Sequence, residues 1–206
     1  MLVRILSARK ISRKMNERRI FLAITIPDPV RNVCDRHIDY LRTAFPNVRV
    51  GWEMTEKLHV TMKFLGNTGE DTLNALETGV AEIVAKHDAF RLRLSRTGLF
   101  PRESRPRVLW IGLEDRLQAV TPLYSQLESL CEGLGYPKET KAFRPHVTIG
   151  RVRDPDTASA LAACHLKTKI EPVEFEVPEI VIYESKLQTT GSVYSIISTA
   201  KLRPSI

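Results

Sequence analysis

Apolar residues recur along the chain with two spacings, and each spacing predicts one type of element. Apolar residues three and four positions apart predict amphipathic helices at 29–45, 70–86, 116–132 and 156–164. Alternating or short continuous apolar runs predict strands at 20–26, 57–65, 90–95, 108–113, 144–151, 172–177, 180–186 and 193–200. The stretch 101–106, bounded by prolines, is predicted to be a loop. This mixture of elements predicts an α+β protein.

The order of the elements repeats with an offset of 87 residues. Adding 87 to the strand at 20–26 gives 107–113, and the first helix maps in the same way onto the third. Such internal repetition indicates duplication of one structural unit. We therefore expect two pseudo-symmetric lobes of the order β-α-β-α-β, with halves at roughly 18–100 and 105–200. Their antiparallel sheets are expected to face a central cleft, with the helices outside.

The strand at 57–65 carries polar side chains on one face. Because successive side chains of a strand point to opposite faces, His59, Thr61 and Lys63 are expected to share one face, with apolar residues on the other. The composition of the chain gives about 0.2 His-apolar-Thr triplets by chance, so a single triplet would carry little weight. The chain contains two of them.

The second triplet lies in the strand at 144–151, at the same offset as the rest of the repeat. Arg144, His146 and Thr148 are expected to share one face of this strand. Arg151 has the opposite parity from His146, so a role beside the histidine requires the strand to end or bend before it. The symmetry of the repeat is expected to bring the two polar strand faces together across the cleft.

The net charge of +7 belongs almost wholly to the N-terminus. Residues 1–19 hold seven Lys and Arg and one acidic residue, whereas the rest holds 24 basic and 23 acidic residues and is nearly neutral. Residues 1–17 are therefore interpreted as an extension, and residues 18–206 as a single bilobal domain. The extension fits three interpretations: a disordered tail or upstream start with Met15 as alternative initiator, an arm that touches nucleic acid, or a targeting peptide.

Several classes of function have no support in the sequence. The three cysteines show neither CxxC nor Cys/His ligand spacing, which favours a reduced, cytoplasmic compartment without a structural metal. No HExxH, GxGxxG or P-loop lysine motif occurs, so no metal and no nucleotide cofactor are expected. The longest apolar run, 20–26, is too short to cross a bilayer, so no membrane contact is expected. We expect a cytoplasmic monomer.

Two imidazoles that face one site suit a displacement in which one proton is removed and another is delivered. The pKa of free histidine lies near neutrality, so one side chain can act as base and the other as acid. The hydroxyls of Thr61 and Thr148 can donate hydrogen bonds to phosphoryl oxygens. Lys63, Arg144 and Arg151 can offset developing negative charge. The pattern indicates a phosphodiester substrate and activation of the nucleophile by a histidine rather than by a metal ion.

The two histidine stretches resemble the signatures of a known superfamily. The stretches 59–66, HVTMKFLG, and 145–151, PHVTIGR, are similar to the two motifs of the two-histidine (2H) phosphoesterases. Within that superfamily the chain is most similar to the RNA 2′,3′-cyclic phosphodiesterases, also called LigT-like proteins or 2′-5′ RNA ligases. Supporting similarity lies at 19–24, 106–110 and 183–194, so the resemblance covers nearly all of the chain beyond the extension.

The resemblance implies a LigT-like fold and hydrolysis of a terminal 2′,3′-cyclic phosphate of RNA to a 2′-phosphate, without a cofactor. It implies that His59 donates a proton to the departing 3′ oxygen and that His146 activates water. It also implies that Thr61 and Thr148 hold the non-bridging oxygens. The implied partner is RNA with a cyclic phosphate end, with tRNA fragments among the candidates, or a cyclic nucleotide.

Other functions are compatible with the same residues. The fold could serve a 2′-5′ RNA ligase or a phosphodiesterase of small cyclic nucleotides, and a non-catalytic protein that binds RNA ends is a further alternative. Lys63 is equally interpreted as a solvated strand residue, and Arg144 as either a substrate contact or a surface residue. Phe143 and Trp52 are candidates for stacking on an unpaired terminal base, with core packing as the alternative.

Overall fold

The computed structural model describes residues 17–189 and 191–205, so the extension predicted at 1–17 lies outside the described residues except for Glu17. Four α-helices and nine strands lie within these ranges. Their bounds are β1 (Arg18–Thr25), α1 (Asp28–Ala44), β2 (Val50–Trp52), β3 (His59–Thr68), α2 (Glu70–Val84), β4 (Phe90–Arg102), β5 (Arg105–Glu114), α3 (Val120–Gly133), β6 (His146–Val152), α4 (Ser159–Lys167), β7 (Glu174–Val177), β8 (Glu179–Gln188) and β9 (Gly191–Lys201).

The strands form one nine-stranded sheet whose order reflects the sequence repeat. The order is β7-β4-β5-β6-β3-β1-β8-β9, and the short β2 pairs with β6. The two strands that carry the histidines, β3 and β6, lie side by side at the centre and are joined through the antiparallel pair Val60–Val147. The strand β1 follows β3 outward on one side and β5 follows β6 on the other, and β1 and β5 are equivalent strands of the repeat. The sheet is therefore pseudo-symmetric about the boundary between β3 and β6.

The two halves of the sequence exchange strands in the sheet. The strand β4, which ends the first half of the repeat, pairs with β5 of the second half. The strand β8, which has the equivalent place in the second half, pairs with β1 of the first. The halves 18–100 and 105–200 of the sequence therefore each contribute to both sides of the sheet, and this exchange ties the two sides together covalently.

The helices cover one face of the sheet because their apolar stripes need a partner. Val33, Ile38 and Leu41 of α1 belong to the same buried cluster as Val60 and Val147 of the central strands. Truncation of one such side chain to alanine costs about 2–5 kcal/mol of stability in comparable cores. Since the two valines point into this core, their neighbours along β3 and β6 point to the opposite, open face.

The strand β3 contains a β-bulge beyond its histidine. In the ladder between β1 and β3, Leu22 pairs with Lys63 whereas the next residue, Ala23, pairs with Thr61. Met62 is therefore an extra residue on β3. A bulge of this kind reverses the parity of the side chains that follow it.

The strand β6 contains a bulge at the equivalent position. Leu109 of β5 pairs with Gly150, whereas Trp110 pairs with Thr148, so Ile149 is the extra residue. Ile149 is 87 residues from Met62, so the duplication extends to the irregularities of the strands. Both polar strands therefore change parity three residues beyond their histidines.

The α+β class and the duplicated arrangement of helices and strands are confirmed, with local differences. The predicted loop at 101–106 is wrong, because β4 continues to Arg102, and Arg102 pairs directly with Arg105 in a tight hairpin. The strand β2 was not predicted, since three half-buried residues are too few to establish an alternation.

Candidate active site

His59 is held at the start of β3 by a hydrogen bond to its own strand. The ring Nδ1 lies 2.7 Å from the carbonyl oxygen of Lys57. Because a carbonyl only accepts hydrogen bonds, Nδ1 must carry a proton and donate it. In the neutral imidazole Nε2 is then the free basic nitrogen, and it lies 3.0 Å from the hydroxyl of Thr61. The reactive nitrogen of His59 is therefore Nε2.

His146 repeats this arrangement in β6. Its Nδ1 lies 2.7 Å from the carbonyl oxygen of Arg144, which is again two residues earlier in the chain. The same argument assigns the Nδ1 proton and leaves Nε2 as the basic nitrogen. Both histidines therefore present the same nitrogen in the same tautomer.

Aromatic rings surround the histidine of each strand. Phe21 and Tyr194 lie against His59, with ring centroids at 5.0 and 5.5 Å. Phe100 and Trp110 lie against His146, at 5.4 and 5.8 Å. These rings limit the orientations available to each imidazole and reduce its contact with water.

Burial lowers the pKa of both catalytic candidates below the usual value for histidine. For His59 and for His146 the largest cause is desolvation of the charged ring, opposed by the backbone hydrogen bond at Nδ1. The positive charge of Arg151 lowers the pKa of both rings further, and His146 also lowers that of His59. The neutral form of each ring, which can accept a proton, is therefore favoured down to a lower pH than in free histidine.

The threonines of the two strands lie beside the histidines of the opposite strand. Continuing the register of the central pair by one residue sets His59 opposite Thr148 and Thr61 opposite His146. All four side chains are half-buried, whereas the residues between them are buried. Two imidazoles and two hydroxyls therefore share the open face of adjacent strands.

The bulge at Ile149 brings Arg151 to this open face. The sequence required a bend before Arg151 if its side chain was to reach the histidines, and the bulge supplies that bend. Arg151 lines a cleft with His59 and Thr148, and its Nε lies 3.5 Å from the carboxylate of Glu53. The guanidinium is half-exposed, so an anionic ligand could contact it.

The equivalent bulge at Met62 has the opposite effect on Lys63. Lys63 is turned into the protein, where its Nζ lies 2.9 Å from the Glu128 carboxylate and 2.7 Å from the carbonyl oxygen of Pro137. Only 4% of Lys63 is exposed. The prediction that Lys63 contacts a phosphate is therefore wrong, because its ammonium is already neutralised and its parity is reversed. Phe64 takes the position on the open face.

Two clefts meet at the paired strands. The His59 cleft, of about 720 Å³, is lined by His59, Thr148, Arg151 and Trp52, among others. The His146 cleft, of about 530 Å³, is lined by residues that include His146, Phe143 and Arg144. Thr61 and Phe64 line both clefts, so the two are adjacent parts of one depression over the histidine strands.

The two clefts differ in chemistry. The His59 cleft contains four cationic side chains and one acidic side chain: Arg19, Lys57, Arg151, Arg153 and Glu53. The exposed lining of the His146 cleft is mainly apolar and includes four aromatic rings, with four charged residues beside them: Phe64, Phe100, Tyr124 and Phe143, and Lys63, Glu139, Lys141 and Arg144. The first environment suits phosphate groups and the second suits a flat, unpaired base.

The remaining predicted residues are divided between the two clefts. Arg144 and Phe143 line the His146 cleft, where Phe143 stacks on Tyr124 at 4.2 Å between ring centroids. Trp52, on β2, lines the His59 cleft. Sequence reasoning missed Tyr194, since it comes from the far end of the chain and no spacing relates it to His59. It also missed Phe64, which the strict alternation of β3 assigned to the core.

No helix in the described ranges is long and apolar enough to cross a membrane. Within residues 17–189 and 191–205, no group of three or more His, Cys, Asp or Glu side chains is arranged to hold a metal ion.

Sequence comparison relates nearly the whole chain to proteins with an enzyme name. The family model of the 2′-5′ RNA ligase superfamily matches residues 32–189. The RNA 2′,3′-cyclic phosphodiesterase of Thermotoga maritima is 31% identical over 182 residues, which cover 87% of this chain and 92% of the relative. The enzyme of the same name from Methanothermobacter thermautotrophicus is 29% identical over 187 residues, which cover 89% of this chain and 98% of the relative.

Solved structures share the fold. The protein TT0787 of Thermus thermophilus superimposes with a TM-score of 0.74 and 26% sequence identity, covering 90% of this chain and 98% of that one. Escherichia coli LigT complexed with 3′-AMP superimposes with a TM-score of 0.70 and 23% identity, again over 90% and 98% of the two chains. The likeness to LigT concerns the fold.

Proposed function

The chain belongs to the 2′-5′ RNA ligase superfamily, and from this premise we propose that it is an RNA 2′,3′-cyclic phosphodiesterase that acts through His59 and His146. Relatives that bear this enzyme name match along most of their length and of this chain. The substrate is RNA that ends in a 2′,3′-cyclic phosphate, and the product is a 2′-phosphomonoester.

The main support for the proposal is that His59 and His146 each direct the Nε2 atom to the same depression. Each ring is fixed through Nδ1 to a carbonyl two residues before it, at 2.7 Å in both cases. Each Nε2 is therefore free to exchange a proton with a ligand. A cyclic phosphodiester needs one base and one acid on opposite sides of the phosphorus, and two such rings supply both.

The reaction proceeds as an in-line displacement. The Nε2 of His146 removes a proton from a water molecule, whose oxygen forms a bond to phosphorus. The bond from phosphorus to the 3′ oxygen breaks, and protonated Nε2 of His59 gives its proton to that oxygen. The phosphate remains on the 2′ oxygen. After one turnover His146 is protonated and His59 is neutral, and proton exchange with water restores the starting protonation states.

The side chains around the histidines stabilise the charge that develops on the phosphate. Thr61 and Thr148 donate hydrogen bonds to the non-bridging oxygens, and Arg151 offsets their negative charge. The reaction needs no metal, because the base and the electrostatic partners come from the chain. Binding of the anionic substrate beside Arg151 also favours the protonated form that His59 must hold as the acid.

The nucleoside is bound by groups at the rim of the depression. Phe143 and Arg144 contact the terminal nucleotide in the His146 cleft, where the aromatic lining supports stacking on a base. The cationic His59 cleft, which includes Trp52, holds the phosphates of neighbouring nucleotides. A substrate longer than one nucleotide would use both clefts.

Product analysis tests the proposal. An oligoribonucleotide with a 2′,3′-cyclic phosphate end is incubated with the protein in excess EDTA, and the end group is identified by mass spectrometry and by its sensitivity to phosphatase. We expect a 2′-phosphate with the wild type and formation of this product at least about 100-fold more slowly with His59→Ala/His146→Ala. Exclusive formation of a 3′-phosphate would contradict the mechanism. Tight binding of the RNA without turnover would instead identify a protein that binds RNA ends.

A further inference from the structure

Lys63 and Glu128 form a buried ion pair behind the catalytic strand. Lys63 lies in β3 two residues beyond Thr61, and Glu128 lies in α3. The Lys63 Nζ is 2.9 and 3.0 Å from the two carboxylate oxygens, and each side chain is only 3% exposed. Both charges are therefore removed from water, which requires that each find partners in the protein.

The pair binds the segment that connects α3 to β6. This connecting loop, residues 134–145, has no helix or strand of its own. The Lys63 Nζ donates a hydrogen bond of 2.7 Å to the carbonyl oxygen of Pro137, and the Glu128 carboxylate accepts one of 2.9 Å from the backbone N–H of Glu139. Lys63 therefore binds the connecting loop at Pro137, and Glu128 binds it at Glu139.

The connecting loop forms a wall of the His146 cleft. Its residues Glu139, Lys141, Phe143 and Arg144 line that cleft, and it leads directly into His146. Among the backbone–backbone hydrogen bonds outside the helices and strands, residues 138–145 of the described chain take part in one, from the Leu113 N–H to the Pro145 carbonyl oxygen. The ion pair is therefore a main attachment of the part of the loop that precedes Phe143.

The aromatic wall is linked to the ion pair through α3. Phe143 stacks on Tyr124 with their rings 12° from parallel. Tyr124 lies one helical turn before Glu128, and burial together with the Glu128 carboxylate raises the pKa of the Tyr124 hydroxyl. Glu128 therefore neighbours both the loop backbone and the ring on which Phe143 rests.

A buried ion pair contributes little net stability, because the cost of removing both charges from water offsets their attraction. Replacement of such a pair by apolar residues of similar volume is often neutral or stabilising, because the cost of desolvation is avoided. Apolar residues would fill the same space but could not bind Pro137 or Glu139. The feature that only the charged pair provides is therefore the attachment of the loop.

We propose that Lys63 and Glu128 are positioning residues that hold the connecting loop and thereby set the affinity of the His146 cleft for the base of the terminal nucleotide. This inference rests on the proposed function, since it assigns one part of the substrate to one cleft. The ligand is an unpaired nucleobase, which stacks against Phe143 and its neighbouring aromatic rings.

A comparison of two substrates isolates this role. Values of kcat and KM are measured with a nucleoside 2′,3′-cyclic phosphate and with the corresponding ribose cyclic phosphate that carries hydrogen in place of the base. The quantity of interest is kcat/KM for the substrate with the base divided by kcat/KM for the substrate without it. Any general damage to the protein, or to His146 itself, affects both substrates and leaves the ratio unchanged.

The main variant is Lys63→Met/Glu128→Leu, which preserves apolar packing but removes both contacts to the loop. We expect its ratio to fall about tenfold, mainly through a higher KM for the base-bearing substrate. Lys63→Arg keeps a charged donor and should retain the wild-type ratio. If the apolar variant does not fold, Lys63→Glu/Glu128→Lys gives the same test, because it keeps the attraction but reverses donor and acceptor.

The chain offers a matched control in a second ion pair between α3 and the same loop. Glu132 and Lys138 lie 3.6 Å apart and are both more than half exposed. Glu132→Leu/Lys138→Met should leave the ratio within about twofold of wild type, as exposed pairs contribute little. An unchanged ratio in a folded Lys63/Glu128 variant would overturn the inference. A wild type that hydrolyses neither substrate nor a cyclic-phosphate oligonucleotide would overturn the proposed function as well.

Discussion

Val60 of β3 pairs with Val147 of β6, and this pair joins the two halves of the sheet. Both valines are fully buried among the residues that pack under the helices. Their buried side chains fix the outward direction of the residues on either side of them along the strands. The pairing of two apolar residues thus determines that two histidines and two threonines meet on the other face.

Removal of either histidine should abolish most of the turnover. We expect His59→Ala and His146→Ala each to lower kcat about 10²- to 10⁴-fold, since each removes one partner in proton transfer. The double variant should lose little more than the weaker of the two single variants, because the pair acts as a unit. The measurement is hydrolysis of a cyclic-phosphate oligonucleotide, with His87→Ala, which lines neither cleft, as control. Activity close to that of the wild type in either variant would refute the assigned site.

Arg151 should set the pH range of activity as well as its rate. Its charge lowers the pKa of both histidines, so Arg151→Gln should raise both and move the limbs of the kcat/KM profile to higher pH. The loss of a charge-assisted contact should also lower kcat/KM about 10- to 100-fold. Arg153→Gln, in the same cleft, should leave the limbs in place. Unchanged limbs in Arg151→Gln would show that this charge does not act on the histidines.

Gly98 should be intolerant of any side chain because the indole of Trp110 lies across it. A Cβ added at Gly98 would overlap ring atoms of Trp110. Gly98→Ala should destabilise the protein by about 1–3 kcal/mol and displace the ring that packs on His146. Urea unfolding measures the loss of stability, and kcat measures the effect of the displaced ring on His146. Gly133→Ala is the control, since nothing lies within 4 Å of its added Cβ and alanine favours the helix.

The buried pair of His37 and His165 should make the fold sensitive to acid. His37 Nε2 and His165 Nδ1 lie 2.9 Å apart, and His165 Nε2 lies 2.9 Å from the Gly98 carbonyl oxygen. Since the carbonyl only accepts, His165 donates from Nε2 and accepts from His37, and both rings are neutral. Desolvation, followed by the neighbouring His165, lowers the pKa of His37 to about 4.

The sign of the effect follows from proton uptake by the unfolded chain. Below about pH 6.5 the unfolded state binds a proton at His37 that the folded state binds only near pH 4, so the free energy of unfolding falls across this window. The contribution of His37 is at most about 3 kcal/mol. The free energy of unfolding, measured with denaturant at several pH values, should fall less steeply below about pH 6.5 in His37→Gln than in the wild type. Equal slopes in the two proteins would contradict the assignment.

Regular patterns in the sequence predicted most of the fold. The spacing of apolar residues located the helices, and the offset of 87 residues indicated the duplication. These features are local, because they follow from the geometry of single helices and strands. The two His-x-Thr triplets were found for the same reason, since they lie in regular parts of β3 and β6.

The exchange of β4 and β8 between the halves was not predictable from spacing. The strand β4 begins with an alternating pattern and β8 with a nearly continuous buried run, and neither pattern specifies a partner. Partner choice depends on contacts between residues far apart in the chain. The contacts of Tyr194 and Phe21 with the ring of His59 arise from the same long-range pairing.

The sequence by itself determined the candidate catalytic groups of this protein: two histidines, each with a threonine on the same strand face, in a duplicated α+β chain. The tertiary structure decided which charged neighbours serve that chemistry. The same bulge in each strand brings Arg151 to the open face and turns Lys63 into the protein. A bulge depends on how a strand pairs with its neighbour, and a single strand's alternation contains no information about that register.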